Sequence, residues 1–432
     1  MKEIAQRAFR NTLAAIDVSA ALERKLARSG SRIRAGDATI DLREFETFLA
    51  IAYGKASFAM AEGLARVLKP EFPVEGILVV PAGSTRELAG WKVFAGGHPV
   101  PNAGSFGAGR AILDRLARCD ERTLVLFLIS GGGSALVEQP LDPSVSLEDF
   151  QQLHAALVTC GASIDEINTV RKHLSATKGG RLAAAAPRSM KLTFAISDVP
   201  PGQESALASG PTLPDPGNVR DAEHIAQAYG LSGKLPASLR AVFENHALRE
   251  TPKPGDPAFA RSHFVLLLGV HDLFHAAHHA CEEEGYLCLC DNSTDNWPLE
   301  KAAVYLLAQL EAQKKVNPHH RVAVVADGEL SSPVTGDGIG GRNSAFVLAC
   351  VPKITGRNLT VLSAGTDGID GNSPAAGAVA DGETLGRAGS AGLDVADFMR
   401  RSDAYGFFER LGDAVVTGPT GNNLRDLRIL IA

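Results

Sequence analysis

Short runs of aliphatic and β-branched residues recur along the chain between stretches of helical periodicity: Phe48 to Tyr53, Ile77 to Val80, Leu124 to Ile129, Leu192 to Ile196, Phe264 to Leu268, Val322 to Ala326 and Leu359 to Leu362. They read as buried strands, and their alternation with helix-like segments predicts parallel sheets joined by helical crossovers. Most of these runs end in Gly, Ser, Asp or Glu. Loops at the C-terminal ends of parallel strands form the ligand crevice of such sheets, so function is expected there. Met1 to Ser29 carries an amphipathic helical pattern of mixed charge and lacks the continuous apolar stretch of a secretory signal. The apolar runs also fall far short of the roughly 18 residues of a membrane span. Both observations predict a cytoplasmic protein.

At 432 residues the chain exceeds what one hydrophobic core usually serves, which predicts two domains. Helix and strand periodicity both break between Arg249 and Arg261, at Thr251-Pro252-Lys253-Pro254-Gly255-Asp256-Pro257. The expected domains are therefore 1–250 and 251–432. Hydrophobic residues at 45%, charged residues at 21% and 44 glycines describe a loop-rich α/β enzyme. A net charge of −6 with no basic block argues against a nucleic-acid partner, because nothing supplies a phosphate-neutralising stripe. The six cysteines contain no Cys-x-x-Cys pair and read as reduced thiols without an assigned role.

Candidate chemistry gathers at the strand ends. Ser130-Gly131-Gly132-Gly133-Ser134 directly follows a buried strand, and glycine lets backbone N–H groups approach an anion closely; a tight turn without a ligand is the alternative. Lys55, in Gly54-Lys55-Ala56, opens a helix, where a cation is disfavoured unless it shares an anion. Asp198 follows the strand ending at Ile196, where a carboxylate can hold Mg²⁺, accept a substrate proton or cap a turn. Glu329 lies after the strand ending at Ala326, and Arg342-Asn343 follow a glycine-rich loop, a setting in which an Arg can clamp a carboxylate or a transferring phosphoryl group. Asp367 and Asp370 share another glycine-rich loop suited to a metal, a general base or a plain turn. His271, His275, His278 and His279 share one helix without the Glu of a zinc-protease pattern, so a solvated face is favoured over a metal site. Gly336-x-Gly338-x-x-Gly341 matches the dinucleotide fingerprint by letter, but is separated from its strand.

In chain order, Gly54-Lys55-Ala56, Gly97-His98-Pro99-Val100-Pro101, Ser130 to Leu136, Val170-Arg171-Lys172-His173-Leu174 with Lys178-Gly179-Gly180, Ile196 to Pro200, Ser209-Gly210-Pro211-Thr212, Gly340 to Asn343 and Ala364 to Gly368 resemble the class II glycerate 2-kinase family over almost the whole chain. The resemblance implies a larger N-terminal Rossmann-like parallel sheet, a smaller C-terminal mixed α/β domain and a cleft between them. It implies ATP-dependent phosphorylation of D-glycerate at its 2-hydroxyl, with Mg²⁺; the short apolar runs predict no membrane partner, and self-association stays open. The family's key Lys and Arg fall on Lys55 and Arg342, and Asp198 joins them as a catalytic candidate. His98, Ser130, Gly131, Gly132, Gly133, Ser134, Arg171, Lys172, Glu329, Asn343 and Asp367 are candidate substrate or phosphate ligands, with Asp198 and Asp367 as metal ligands. Asn102, Gln203-Glu204, Ser344-Ala345 and Asn372-Ser373-Pro374 depart from the family patterns. These departures bear on which hydroxy acid is used, and leave a kinase-derived protein of altered specificity or lost activity as one alternative. A hydroxypyruvate reductase, a name attached to relatives, is the other.

Overall fold

The computed structural model describes residues 1–68, 71–83, 87–199 and 202–432; Pro200, which closes the motif begun at Ile196, lies outside them. Two compact units emerge, Val18–Leu267 and Met1–Asp17 joined with Leu268–Ala432.

The first unit begins with an antiparallel ribbon of β1 (Leu26–Ser29), β2 (Arg32–Ala35) and β3 (Ala38–Asp41). Its main sheet comprises β4 (Thr47–Tyr53), β5 (Val74–Pro81), β6 (Trp91–Gly96), β7 (Thr123–Ser130), β8 (Met190–Ile196) and β9 (Ser262–Leu268), in the order β6-β5-β4-β7-β8-β9. Neighbours from β6 through β8 pair in parallel. The chain therefore winds outward from β4 to β6, returns to lay β7 beside β4, and winds the other way. Central strands in such a sheet are covered on both faces, which is why β7 is buried at every residue and apolar without a break from Leu124 to Ile129. Ile51, Val79, Phe127 and Ile129 pack with Ile112 and Leu116 of the helix Ala103–Leu116.

The second unit holds β10 (Tyr286–Cys290), β11 (Arg321–Asp327), β12 (Thr360–Gly365), β13 (Gly377–Asp381), β14 (Ala414–Val415) and β15 (Asp426–Ile431), ordered β10-β11-β15-β12-β13-β14. Only β10 and β11 run parallel, so this sheet is mixed. The helices Leu299–Val316 and Arg342–Ile354 pack Leu306, Leu310, Phe346 and Val351 against Val322, Val324 and Val361.

The division differs from the expected 1–250 and 251–432 at both ends. The proline-rich stretch is bound to the first unit by Thr251 Oγ1 donating to Asp215 Oδ2 at 3.0 Å and by Lys191 N–H donating to Arg261 O at 2.8 Å, and β9 then joins that unit's sheet. The helix Lys2–Ala15 belongs instead with the second unit. Its Arg7 pairs with Glu284 and Lys2 Nζ with Asp413 at 2.7 Å, while Asn422 Nδ2 donates to Ile16 O at 2.7 Å. Among the described residues no helix is long and apolar enough to cross a membrane.

Candidate active site

Because the winding reverses between β4 and β7, the loops leaving these two strands lie side by side, where doubly wound sheets bind ligands. Lys55 N–H donates to Gly131 O at 3.0 Å and Ala56 N–H to Ser130 Oγ at 3.0 Å. Gly54 sits at φ +116, and a Cβ there would lie 2.2 Å from Ser130 Oγ and 2.5 Å from Ser130 O, so glycine is what lets the loops join. Gly132 turns the chain at φ +79 into the short helix Gly133–Leu136. A Cβ on Gly132 would meet His98 Nε2 at 3.3 Å and Lys55 Cγ at 3.4 Å. Lys55, His98 and the glycine loop thus converge.

Beside them is a cavity of about 230 Å³ lined by His98, Gly132, Ser134, His154, Arg171 and Lys178 among others. Lys178 is wholly buried; its Nζ donates to Ser134 O at 2.8 Å and to Glu138 Oε2 at 2.6 Å. Burial pulls the Lys178 ammonium down, and Glu138 opposes that pull. Arg171 Nη2 lies 2.9 Å from His154 Nδ1. Burial, then Arg171, Lys178 and His98, push His154 down to about 4, which leaves a neutral ring able to accept from Arg171 at neutral pH. Burial and then Lys55 lower His98 as well. With Lys178 matched by Glu138, Arg171 leaves the cavity lining net positive, and the guest this favours is an anion. Ser134 Oγ is held 2.8 Å from Ser209 Oγ, which donates to Asn168 Oδ1 at 3.0 Å. Ala208 and Ser209 both take left-handed conformations, φ +48 and +62, a strain that tends to persist where a site requires it.

Three sequence candidates take supporting places. Lys172 is buried with its Nζ on Asp215 Oδ1 at 3.0 Å, so it anchors the segment carrying Thr251 and does not line the cavity. Ser130 spends its hydroxyl on Ala56 N–H. Asn343 is buried and accepts from Ser363 Oγ at 2.6 Å. Asp198 stands partly buried just past β8, on the strand-end edge that carries the glycine loop.

In the second unit Arg342 opens its helix with Nη1 2.8 Å from Glu329 Oε2 and Nε paired with Asp426. Burial alone would lower this guanidinium; Asp426 and Glu329 outweigh it and hold it up. β15 runs antiparallel between β11 and β12, so Asp426 at its start lies at the C-terminal ends of both. Arg425 and Arg428 extend the array: Arg425 Nη2 reaches Asp295 at 2.5 Å and Arg428 Nη2 donates to Gly328 O at 2.8 Å. Asp327 is fully buried with neither carboxylate oxygen hydrogen-bonded, and burial raises it. Asp370 accepts from Asn343 N at 2.9 Å, Ser344 N at 2.8 Å and Ser344 Oγ at 2.6 Å, capping the helix that presents Arg342. Asp367, partly exposed after β12, takes the Ile369 N–H at 3.0 Å.

The departures from the family patterns have local roles here. Asn102 caps the helix Ala103–Leu116, Ser344 binds Asp370, and Asn372 Oδ1 accepts from Gly340 N at 2.8 Å. The letter-match glycines lie between Asp327, which ends β11, and Arg342, and Gly338 N–H is bound to Arg401 O at 2.9 Å, so the tight strand-turn-helix of a dinucleotide site is absent there. The sequence offered Lys178 only within a motif and without a role, and sequence reasoning missed Glu138 and His154, and also Asp295, Asp327, Arg425 and Arg428. For Arg428 a signal existed, a charge placed within an apolar strand, and for Asp327 a carboxylate closing one.

Residues 4–244 match a family described as a domain of unknown function, DUF4147, and residues 322–426 match the MOFRL family. The D-glycerate 2-kinase of Thermotoga maritima is 34% identical over 400 residues, 92% of this chain and 93% of its own. A protein of Agrobacterium vitis, named only provisionally as a hydroxypyruvate reductase, is 36% identical over 387 residues, 88% of this chain and 86% of its own. The crystal structure of the Thermotoga maritima glycerate kinase aligns with a TM-score of 0.84 at 30% identity, over 100% of this chain and 99% of that one.

Proposed function

Because the chain belongs to the glycerate kinase family that joins a DUF4147 domain to a MOFRL domain, we propose that it transfers the γ-phosphoryl group of ATP to the 2-hydroxyl of D-glycerate in the cytoplasm, releasing 2-phosphoglycerate and ADP. The observation that carries this reading is the interlocked pair of loops holding Lys55 and the three glycines at the winding reversal, beside a small cationic cavity. At about 230 Å³ the cavity falls below the roughly 300–1,000 Å³ of sites for drug-sized ligands, which suits a three-carbon acid better than a nucleotide.

Phosphoryl transfer asks the protein mainly for positioning and for charge placed where the equatorial oxygens need it. Lys55 and the N–H groups of Gly131 to Ser134 are assigned to phosphate oxygens, and Arg171 and neutral His98 to the acid. Arg342, kept charged by Asp426 and Glu329, is assigned to the substrate carboxylate or the moving phosphoryl group. Asp198, and Asp367 with Glu329, are partly exposed carboxylates, which fits an ion that keeps several of its waters; Asp327 is enclosed beside Arg425 and Arg428 and fits it poorly. Bound there, Mg²⁺ would neutralise phosphate charge. Asp198 is the candidate to accept the proton of the 2-hydroxyl.

The test is ADP release with D-glycerate, ATP and Mg²⁺. Lys55→Met and Arg342→Ala should each lower kcat/KM about a hundredfold or more while the fold stays intact by circular dichroism. Activity in both variants near that of the parent would refute the assignment, and glycerate-independent oxidation of NADH by hydroxypyruvate would favour the reductase.

A further inference from the structure

We infer that the second unit carries a site for a thiophilic cation, of which Zn²⁺ is the type, built from His278, Cys288 and Cys290. Cys288 and Cys290 are two apart on β10, the edge strand, so their side chains share one face of the sheet. The helix Val270–Glu283 packs against β10 and carries His271, His275 and His278 at intervals of four and three, a single side of a helix. The ligand atoms of His278, Cys288 and Cys290 all lie within 4.8 Å of one another.

Two details favour a metal over a solvated histidine face. His278 Nδ1 is 3.5 Å from Cys290 Sγ. A tetrahedral ion with Zn–S of ~2.3 Å and Zn–N of ~2.0 Å sets its sulfur and nitrogen ligands about 3.5 Å apart. The other ring nitrogen, Nε2, lies 3.1 Å from Glu282 Oε1. A carboxylate on the far nitrogen keeps the proton there and aims the Nδ1 lone pair at the thiols, which is how ligating histidines are usually held. A cavity of about 410 Å³ lined by His271, Phe274, His275, His278, Cys290 and Asn292 adjoins two of the three ligands, His278 and Cys290, and leaves room for a fourth, His275 or water. Two thiolates and an imidazole select a soft or borderline ion over Mg²⁺ or Ca²⁺. Binding would release the thiol protons to solvent, with no change of oxidation state. It would fasten the helix to a sheet edge and stiffen the chain from Cys290 to Asp295, the partner of Arg425.

The test uses the full chain, reduced and stripped with a chelator, then titrated with Zn²⁺ against a chromophoric competitor and, separately, with Co²⁺. One Zn²⁺ per chain is expected, with thiolate-to-cobalt charge-transfer bands and the visible bands of a tetrahedral centre. Cys290→Ser and His278→Ala should lose those bands and weaken Zn²⁺ binding at least a hundredfold. Glu282→Gln should weaken it about 10–100-fold, a change that threatens folding less. Cys160→Ser, in the other unit, should bind as the parent does. The inference falls if the reduced parent takes up no stoichiometric Zn²⁺, or if Cys290→Ser and His278→Ala bind it unchanged. It falls equally if the neighbouring Cys281 and Cys288 form a disulfide in air and the reduced protein binds no ion.

Discussion

Replacing Gly54 with alanine tests whether the loop of Lys55 and the glycine loop act as one piece. The added methyl would sit 2.2 Å from Ser130 Oγ and 2.5 Å from Ser130 O, against an ordinary contact of at least 3.4 Å. The hydroxyl can rotate away; the carbonyl belongs to β7 and cannot, so the Lys55 loop must retreat by about 1 Å. Holding a non-glycine residue at φ +116 adds roughly 1–3 kcal/mol of strain, and overpacking a further 1–3 kcal/mol. Urea unfolding should therefore show a loss of about 2–6 kcal/mol. A displacement near 1 Å at a positioning group costs on the order of a hundredfold, so kcat/KM for glycerate should fall by about that factor. Gly54→Ala/Ser130→Ala should regain little, because the backbone clash remains. If Gly54→Ala keeps kcat/KM within about threefold and its stability within about 0.5 kcal/mol, the loops are not coupled as described and the reasoning fails.

Lys178→Met should destabilise the first unit by about 3–5 kcal/mol in denaturant titration, because it leaves the Glu138 carboxylate buried without its counter-charge; Lys178→Met/Glu138→Gln should recover part of that loss. His154, held at about 4 in the folded chain against 6.5 when exposed, contributes stability that is complete above pH 6.5 and lost as pH falls toward 4, since the unfolded state then binds the extra proton. His154→Leu should flatten that part of the urea-midpoint profile between pH 6.5 and 4, and an unchanged slope would contradict the assignment.

What could be read along the chain was what depends on neighbours in sequence. Apolar runs located β4, β5, β7, β8, β9, β11 and β12 to within a few residues, and glycine and hydroxyl clusters marked the loops after β4 and β7, because strand burial and turn chemistry are local properties. The same signals misled at Thr251 to Pro257, where a segment that breaks every local pattern is nonetheless tied to Asp215, and at Lys2–Ala15, whose amphipathic face gives no indication of which core will cover it.

The sequence alone thus determined the α/β class, and it offered the strand ends as the expected place of the chemistry and the cations Lys55 and Arg342 as candidates. Only the tertiary structure separated lookalikes: Lys172 paired with Asp215 from Lys178 under the glycine loop, and Asn343 bound to Ser363 from Arg342 between two carboxylates. It alone brought His278, one of four histidines that the sequence places on one helix, to Cys290, a thiol that the sequence left without a role. The reason is that a polar side chain's role depends on its partner and on the water it loses, and both are set by strand order and helix docking rather than by the residues beside it.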